Sequence, residues 1–229
     1  MKILITNDDG IAELNLKVLT ETVKKHYPYD QIIVVAPSTE QSAVSHALEI
    51  KKQKTIKKIA DLVEGIETYI VDSTPAECVI LTKNVLHYDF DLVFSGINNG
   101  LNLGIDVLYS GTCGAALEAL NYCDFSVAFS CHVATCEGFK KSSDEIFNFI
   151  KGNKFNKTCL NINFPKNPQG IKITCQRNRG TDLDYQKNYL TDVDALNQDF
   201  VTITPLHLDL TEYLLIDKLN EVLKYSCKK

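Results

Sequence analysis

Two adjacent carboxylates, Asp8 and Asp9, end a short apolar run in MKILITNDDG. At the tip of a buried strand such a pair repels itself unless something positive faces it. Two readings are open from this stretch: the pair holds a cation, or one member caps the helix that follows. Two more polar stretches carry matching chemistry, Ser38-Thr39-Glu40-Gln41-Ser42 and Ser95-Gly96-Ile97-Asn98-Asn99-Gly100, each after an apolar run. No lysine or arginine lies in the three stretches. A hard divalent cation fits instead, because Asp8, Asp9, the Ser42 hydroxyl and the Asn98 amide oxygen are oxygen donors of the kind that suit magnesium or manganese rather than zinc. Farther along, Ser110-Gly111-Thr112 opens a helix whose unpaired amides can hold phosphate, and Gly96, Gly100 and Gly104 let the backbone come close to a ligand. Phosphate beside a divalent metal points to phosphoryl chemistry. No lysine follows the glycines as it does in a Walker A loop, so ATP-driven work is not indicated. The plainer alternative is that these glycines serve tight turns alone.

Around these residues strand-like runs alternate with helix-like ones, the pattern of a parallel sheet covered by helices. Strands are expected at Ile3 to Ile5, Gln31 to Ala36, Glu67 to Val71, Asp91 to Ser95 and Ser126 to Cys131. Leu14, Val18, Leu19 and Val23 recur on one helical face. A further helix starts near Pro75 with Thr74 as its cap, and another runs from about Thr112 to Tyr122. In such a Rossmann-like sheet ligands bind beyond the carboxyl ends of the strands, where the three polar stretches fall. After Asn156, Thr158 to Asn163, Gly170 to Cys175 and Phe200 to Thr204 read as strands without intervening helices. Thr211 to Tyr225 is amphipathic, with Leu214, Leu215, Leu219, Val222 and Leu223 on one side. The expected organisation is a catalytic core over 1–156 and a β-rich extension with a terminal helix over 157–229, together one structural domain.

With 229 residues, 45% apolar and 23% charged, the chain has the make-up of a globular protein with one sizeable core. No apolar run approaches the roughly 20 residues that span a bilayer, and the first 30 residues lack a signal peptide's order, so the expected location is cytoplasmic. The eight cysteines lie mostly in apolar segments and read as core residues of a reducing compartment. Cys131, His132 and Cys136 are the nearest approach to a soft-metal cluster, but no CxxC pair accompanies them. A net charge of −5 argues against a nucleic-acid groove. The run Lys51, Lys52, Lys54, Lys57 and Lys58 reads as the solvated face of a hairpin.

NDDG at 7 to 10, VVAP at 34 to 37, the Ser42 loop, STPAECV at 73 to 79 and SGINNGLNLGIDVLYSGT at 95 to 112 resemble the survival protein E (SurE) family of metal-dependent nucleotidases, as do TDVDAL at 191 to 196 and ITPLHLDLT at 203 to 211. The likeness runs nearly end to end. It implies a Rossmann-like core, one divalent metal per subunit and hydrolysis of nucleoside monophosphates, at the 5′ or 3′ position, to nucleoside and phosphate; some members also cleave short polyphosphate. The family's metal ligands fall on Asp8, Asp9, Ser42 and Asn98, and its phosphate-binding positions on Asn102, Ser110, Gly111 and Thr112. Members form dimers or tetramers by exchanging C-terminal segments. The chain departs from the family's usual pattern in having Glu13-Leu14-Asn15 for Ala-Pro-Gly, Ala43-Val44-Ser45 for Gly-Ala-Ser, Ser73 for a glycine, no basic residue in the stretch before Ser42, and a short stretch between Arg177 and Thr191.

Two other readings share the acidic loop. A haloacid-dehalogenase-type phosphatase needs an Asp nucleophile two residues before its second Asp, and that position is Asn7. A magnesium-binding phospho-receiver or nucleotide-binding module would signal or bind without turnover, but a receiver needs an acceptor Asp at the end of a later central strand, where this chain has Ser95-Gly96.

Overall fold

The computed structural model describes residues 1–51, 53–132, 136–177 and 188–226, apart from the side chains of Leu214 and residues 224–226. Nine strands form one sheet: β1 (Lys2–Thr6), β2 (Gln31–Pro37), β3 (Ile56–Ile59), β4 (Glu67–Val71), β5 (Leu92–Asn99), β6 (Phe125–Cys131), β7 (Thr158–Phe164), β8 (Ile171–Ile173) and β9 (Val201–Leu206). Their order across the sheet is β3-β4-β2-β1-β5-β6-β7-β9-β8. Pairing is parallel except for β3 with β4 and β7 with β9. The chain builds outward from β1 through β2 to β4, then returns to β1's other side with β5 and builds the opposite way. The carboxyl ends of β1 and β5 therefore flank a topological switch point, where loops diverge and leave a crevice.

Alternation along β1 sends Ile3 and Ile5 to one face and Leu4 to the other. The first face packs on α1 (Leu14–His26) through Leu16, Leu19 and Val23, and on α4 (Glu137–Gly152) through Phe139, Ile146, Phe147 and Ile150. The second packs on α2 (Pro75–Asn84) through Cys78 and Val79 and on α3 (Gly111–Ala119) through Ala115 and Ala119. Small residues on α3 let it lie close to the sheet, and this fixes its N-terminus over the crevice. Both faces are covered, as a parallel sheet requires.

The elements differ from the sequence expectation in instructive places. The helix-face reading placed Leu14 inward, but Leu14 is the first residue of α1 and is 66% exposed. The inward stripe runs instead from Asn15 and Leu16 to Leu19, Thr20 and Val23. The strand expected to stop at Ser95 continues to Asn99 across an irregularity between Ser95 and Asn98. Gly96 sits there with φ +129°, and a Cβ on it would lie 2.4 Å from the Phe129 carbonyl oxygen, so only glycine fits. Asn98 and Asn99 thereby rejoin the ladder opposite Ser130 and Cys131. The lysine-rich stretch does form a hairpin arm, β3, with Lys57 and Lys58 exposed. Lys54 is not solvated with them, since it forms an ion pair with the buried Glu77; Lys52 lies outside the described residues.

The strands after residue 156 continue the same sheet, with β7 pairing with β6. α5 (Asp192–Leu196) follows, capped by Thr191, and α6 (Tyr213–Ser226) ends the described chain. Leu215, Leu219, Val222 and Leu223 are exposed, and most of the stretch between Arg177 and Thr191 lies outside the described residues. None of the seven described cysteines is in a disulfide. Among the described residues no helix is long and apolar enough to cross a membrane.

Candidate active site

Asn7 shapes the first loop. Its side-chain amide donates to the Gly10 carbonyl at 2.9 Å and closes the turn that carries the two acids. Neither acid caps α1, whose N-cap is Glu13 without a side-chain cap bond. Asp8 reaches instead to a different helix. Its Oδ2 accepts the Thr112 N–H at 3.1 Å, and its Oδ1 accepts the Thr112 hydroxyl. Burial pushes the Asp8 carboxyl above its ordinary value, and the Thr112 bonds pull against that shift. Gly111 makes the approach possible, since a Cβ there would lie 2.9 Å from the Asp8 Cβ and 3.1 Å from its Oδ2.

Asp9 turns the other way. Its Oδ2 accepts the Asn99 N–H at 3.1 Å, which ties the acidic loop to the end of β5. Burial, with the Asp8 charge second, pushes the Asp9 carboxyl up to about 6. Asn98, next in the chain, donates its Nδ2 to the Gly100 carbonyl at 2.9 Å, which leaves the amide oxygen as the donor it can offer a cation. The Ser38–Ser42 loop closes on the same place, with the Gln41 N–H donating to the Asp8 carbonyl at 2.7 Å. Ser42 is exposed and its hydroxyl donates to Glu40 Oε1 at 2.6 Å.

In the sequence Glu40 stands simply in a stretch that lacks a basic residue. In three dimensions its charge acts on both Asp8 and Asp9 and raises their carboxyls further. Sequence distance hid this, because Glu40 stands 31 residues from Asp9 and only the packing of two loops brings them together. Next to Ser42, Ala43 takes φ +57°, the left-handed region, at the position where the resemblance leads one to expect glycine.

The predicted phosphate positions divide. Ser110 is the N-cap of α3 and accepts the Cys113 N–H at 3.1 Å. Thr112 spends its amide and hydroxyl on Asp8, so Gly111 carries the first-turn N–H that has no acceptor among the described residues. Among the described residues the hydrogen bonds of Asn102 go to Ser130, Asn161 and Asn163 and not to the acids. It is 6% exposed and is drawn toward β6 and β7: its Nδ2 donates to Ser130 Oγ at 2.7 Å, and its main chain is bonded by Asn161 and Asn163. Asp192 is a further residue that pattern reading missed. It is fully buried, and its carboxylate accepts the N–H groups of Gly104, Arg177 and Val193.

The donor set suits a hard cation. Among the described residues neither Asp8 nor Asp9 has an ion-pair partner, and no three His, Cys, Asp or Glu side chains gather into a metal-holding group. A buried and a half-buried carboxylate together with a neutral hydroxyl and amide oxygen, the donor types that Asp8, Asp9, Ser42 and Asn98 carry, are what magnesium or manganese takes, with water completing the shell. Such a cation would offset both the burial and the Asp8 charge that raise Asp9.

The family model described as survival protein SurE matches residues 3–182. A 5′-nucleotidase SurE from Thermoanaerobacter sp. (strain X514) is 36% identical, over 96% of this chain and 97% of its own length. One from Petrotoga mobilis (strain DSM 10674 / SJ95) is 34% identical, over 98% and 100%. The crystal structure of the SurE protein from Aquifex aeolicus superposes with a TM-score of 0.79 at 31% identity, covering 97% of this chain and 99% of that one.

Proposed function

The chain belongs to the survival protein SurE family, and from that premise we propose that it is a metal-dependent phosphomonoesterase hydrolysing nucleoside 5′-monophosphates to nucleoside and phosphate. The observation that carries the proposal is the meeting, at the sheet's switch point, of an acidic pair with the N-terminus of α3 through the Asp8–Thr112 bonds. A cation site and an anion site then share one wall.

In this reading Asp8, Asp9, Ser42 and Asn98 hold one magnesium or manganese ion. When bound, that ion lowers the pKa of a water and offsets charge on the phosphoryl oxygens. The residues divide the remaining work. Thr112 engages both Asp8 oxygens and so orients that carboxylate as a ligand. Among the described residues Asp9 accepts a hydrogen bond through Oδ2 alone, from Asn99, and in this reading its Oδ1 orients the attacking water and takes its proton. The Gly111 N–H and the positive end of α3 face the phosphoryl oxygens. Glu40 adds negative charge nearby, which disfavours phosphate until a cation is present. Asn7 takes no covalent part, since its amide is committed to the Gly10 carbonyl.

The proposed assembly is a homodimer or homotetramer with exchanged C-terminal segments, supported by the exposed apolar side chains Leu215, Leu219, Val222 and Leu223 of α6. The proposed location is the cytoplasm, supported by cysteines buried as free thiols.

The test is phosphate release by metal-stripped protein, with magnesium or manganese restored, from 5′- and 3′-nucleoside monophosphates and short polyphosphate. Metal-dependent release supports the nucleotidase, and the ranking identifies the substrate. Folded protein that releases phosphate from none of them with either metal refutes it.

A further inference from the structure

Asn161 and Asn163 lie two apart on β7, so their carboxamides leave the same face of the strand, and both residues are fully buried. Buried amides are costly unless matched. Their matches converge on the main chain of one residue. Asn161 Nδ2 and Asn163 Nδ2 donate to the Asn102 carbonyl at 2.7 and 3.1 Å, and the Asn102 N–H donates to Asn163 Oδ1 at 2.8 Å. Asn163 thus meets both main-chain groups of Asn102, as a neighbouring strand would. It does so where the chain has left the sheet, because β5 ends at Asn99 and the strands flanking β7 are β6 and β9. Asn161 also touches α3: its Oδ1 lies 3.6 Å from the Cys113 thiol, in the first turn of that helix.

We propose that Asn161 and Asn163 are positioning residues for phosphate recognition. They set the main chain of residues 100–104 and, through the short 3-10 helix Gly104–Leu108, the place of the Ser110–Thr112 turn. Leucine has a similar size and would fill the same space, but it would leave the Asn102 groups unpaired and free to rotate away from the register that the two amides impose. The proposal rests on the reading that this turn receives the phosphoryl group.

The experiment compares Asn161→Leu and Asn163→Leu with wild-type protein, magnesium-loaded and shown to be folded by circular dichroism at the assay temperature. Two readouts are taken: affinity for inorganic phosphate by thermal shift, and kcat and KM for the best nucleotide. A displacement of about 1 Å in a positioned group costs on the order of 100-fold in rate, so kcat is expected to fall by roughly that factor, with phosphate affinity weakened about tenfold. Asn163→Asp, which keeps an oxygen facing the Asn102 N–H, should recover part of both losses. If a leucine variant does not fold, Asn161→Ser, which leaves both Asn163 bonds in place, is measured instead and should lose in the same direction. Folded variants that melt earlier yet keep wild-type phosphate affinity and kcat overturn the proposal. Wild-type protein that binds phosphate but turns over no nucleotide refutes the nucleotidase reading and leaves the affinity comparison to decide this one. Wild-type protein that binds no inorganic phosphate and releases none from any nucleotide refutes both, whereas turnover without measurable phosphate binding leaves kcat and KM to decide the positioning role.

Discussion

Replacing Asp192 by asparagine removes one charge and one acceptor from a side chain that holds three main-chain donors. In the folded protein Oδ2 accepts the Gly104 N–H at 2.7 Å, and Oδ1 accepts those of Arg177 at 3.0 Å and Val193 at 2.9 Å. Asparagine has one oxygen. Turned to keep Arg177 and Val193, it points its NH2 at the Gly104 N–H, donor against donor. A hydrogen bond to a charged group contributes about 1.5–3 kcal/mol. Neutralising a fully buried carboxylate returns part of that, since burial pushes the Asp192 carboxyl above its ordinary value despite the three main-chain donors that pull it down. The balance is a loss of about 2 kcal/mol at neutral pH, which for a chain of this size lowers Tm by about 4–8 °C. Urea unfolding, extrapolated linearly, measures the difference directly. The pH dependence gives a second check. A carboxyl whose folded pKa is raised contributes stability that is complete below about 4, its unfolded range, and is lost as pH rises through the folded value. Asparagine has no such titration, so the stability gap between wild type and variant should shrink as pH rises from about 4. A variant as stable as wild type at neutral pH refutes the role given to the three bonds. A gap that widens with pH means that the main-chain donors outweigh burial.

Asp9→Asn should leave the protein folded and reduce metal-dependent phosphate release by at least about 100-fold; near-normal turnover would show that Asp9 has neither of its assigned tasks. Gly111→Ala requires no unusual backbone angle, so its effect isolates the clash with Asp8; turnover should drop by about tenfold or more with unchanged helix content, and an active variant would mean that the α3 turn yields easily. Ala43→Gly relieves a left-handed alanine and should stabilise the fold by up to about 1 kcal/mol in urea titration, whereas a less stable variant would show that this conformation carries little strain. Leu219→Glu with Leu223→Glu alters two exposed residues of α6; light scattering should find smaller assemblies, and an unchanged mass would remove α6 from the subunit contact.

Much of the frame is legible in the order of residues alone. Ile3 to Ile5, Gln31 to Ala36 and Ser126 to Cys131 are β-branched or apolar runs too short for helices and bounded by polar turns, and each became a central strand. Thr74-Pro75 is a helix start written in two residues, and the Thr74 hydroxyl accepts the Glu77 N–H as such a cap should. The acidic pair was legible too, since uncompensated adjacent carboxylates after a strand have few uses. What lay beyond the sequence was every relation between distant segments. The string offers Asp8 the next helix to cap, but its partner is Thr112, 104 residues on. The glycine-rich pattern predicts a loop at Asn98, but the irregularity at Gly96 returns it to the sheet. Glu40 became part of the site's charge, and Asn161, Asn163 and Asp192 became the supports of the loop that leads to α3. Local propensity and periodicity act over a few residues and so show in the string. Hydrogen bonds between a side chain and a remote main-chain group exist only once the sheet's strand order has brought them together, and that order is decided by burial of the whole chain.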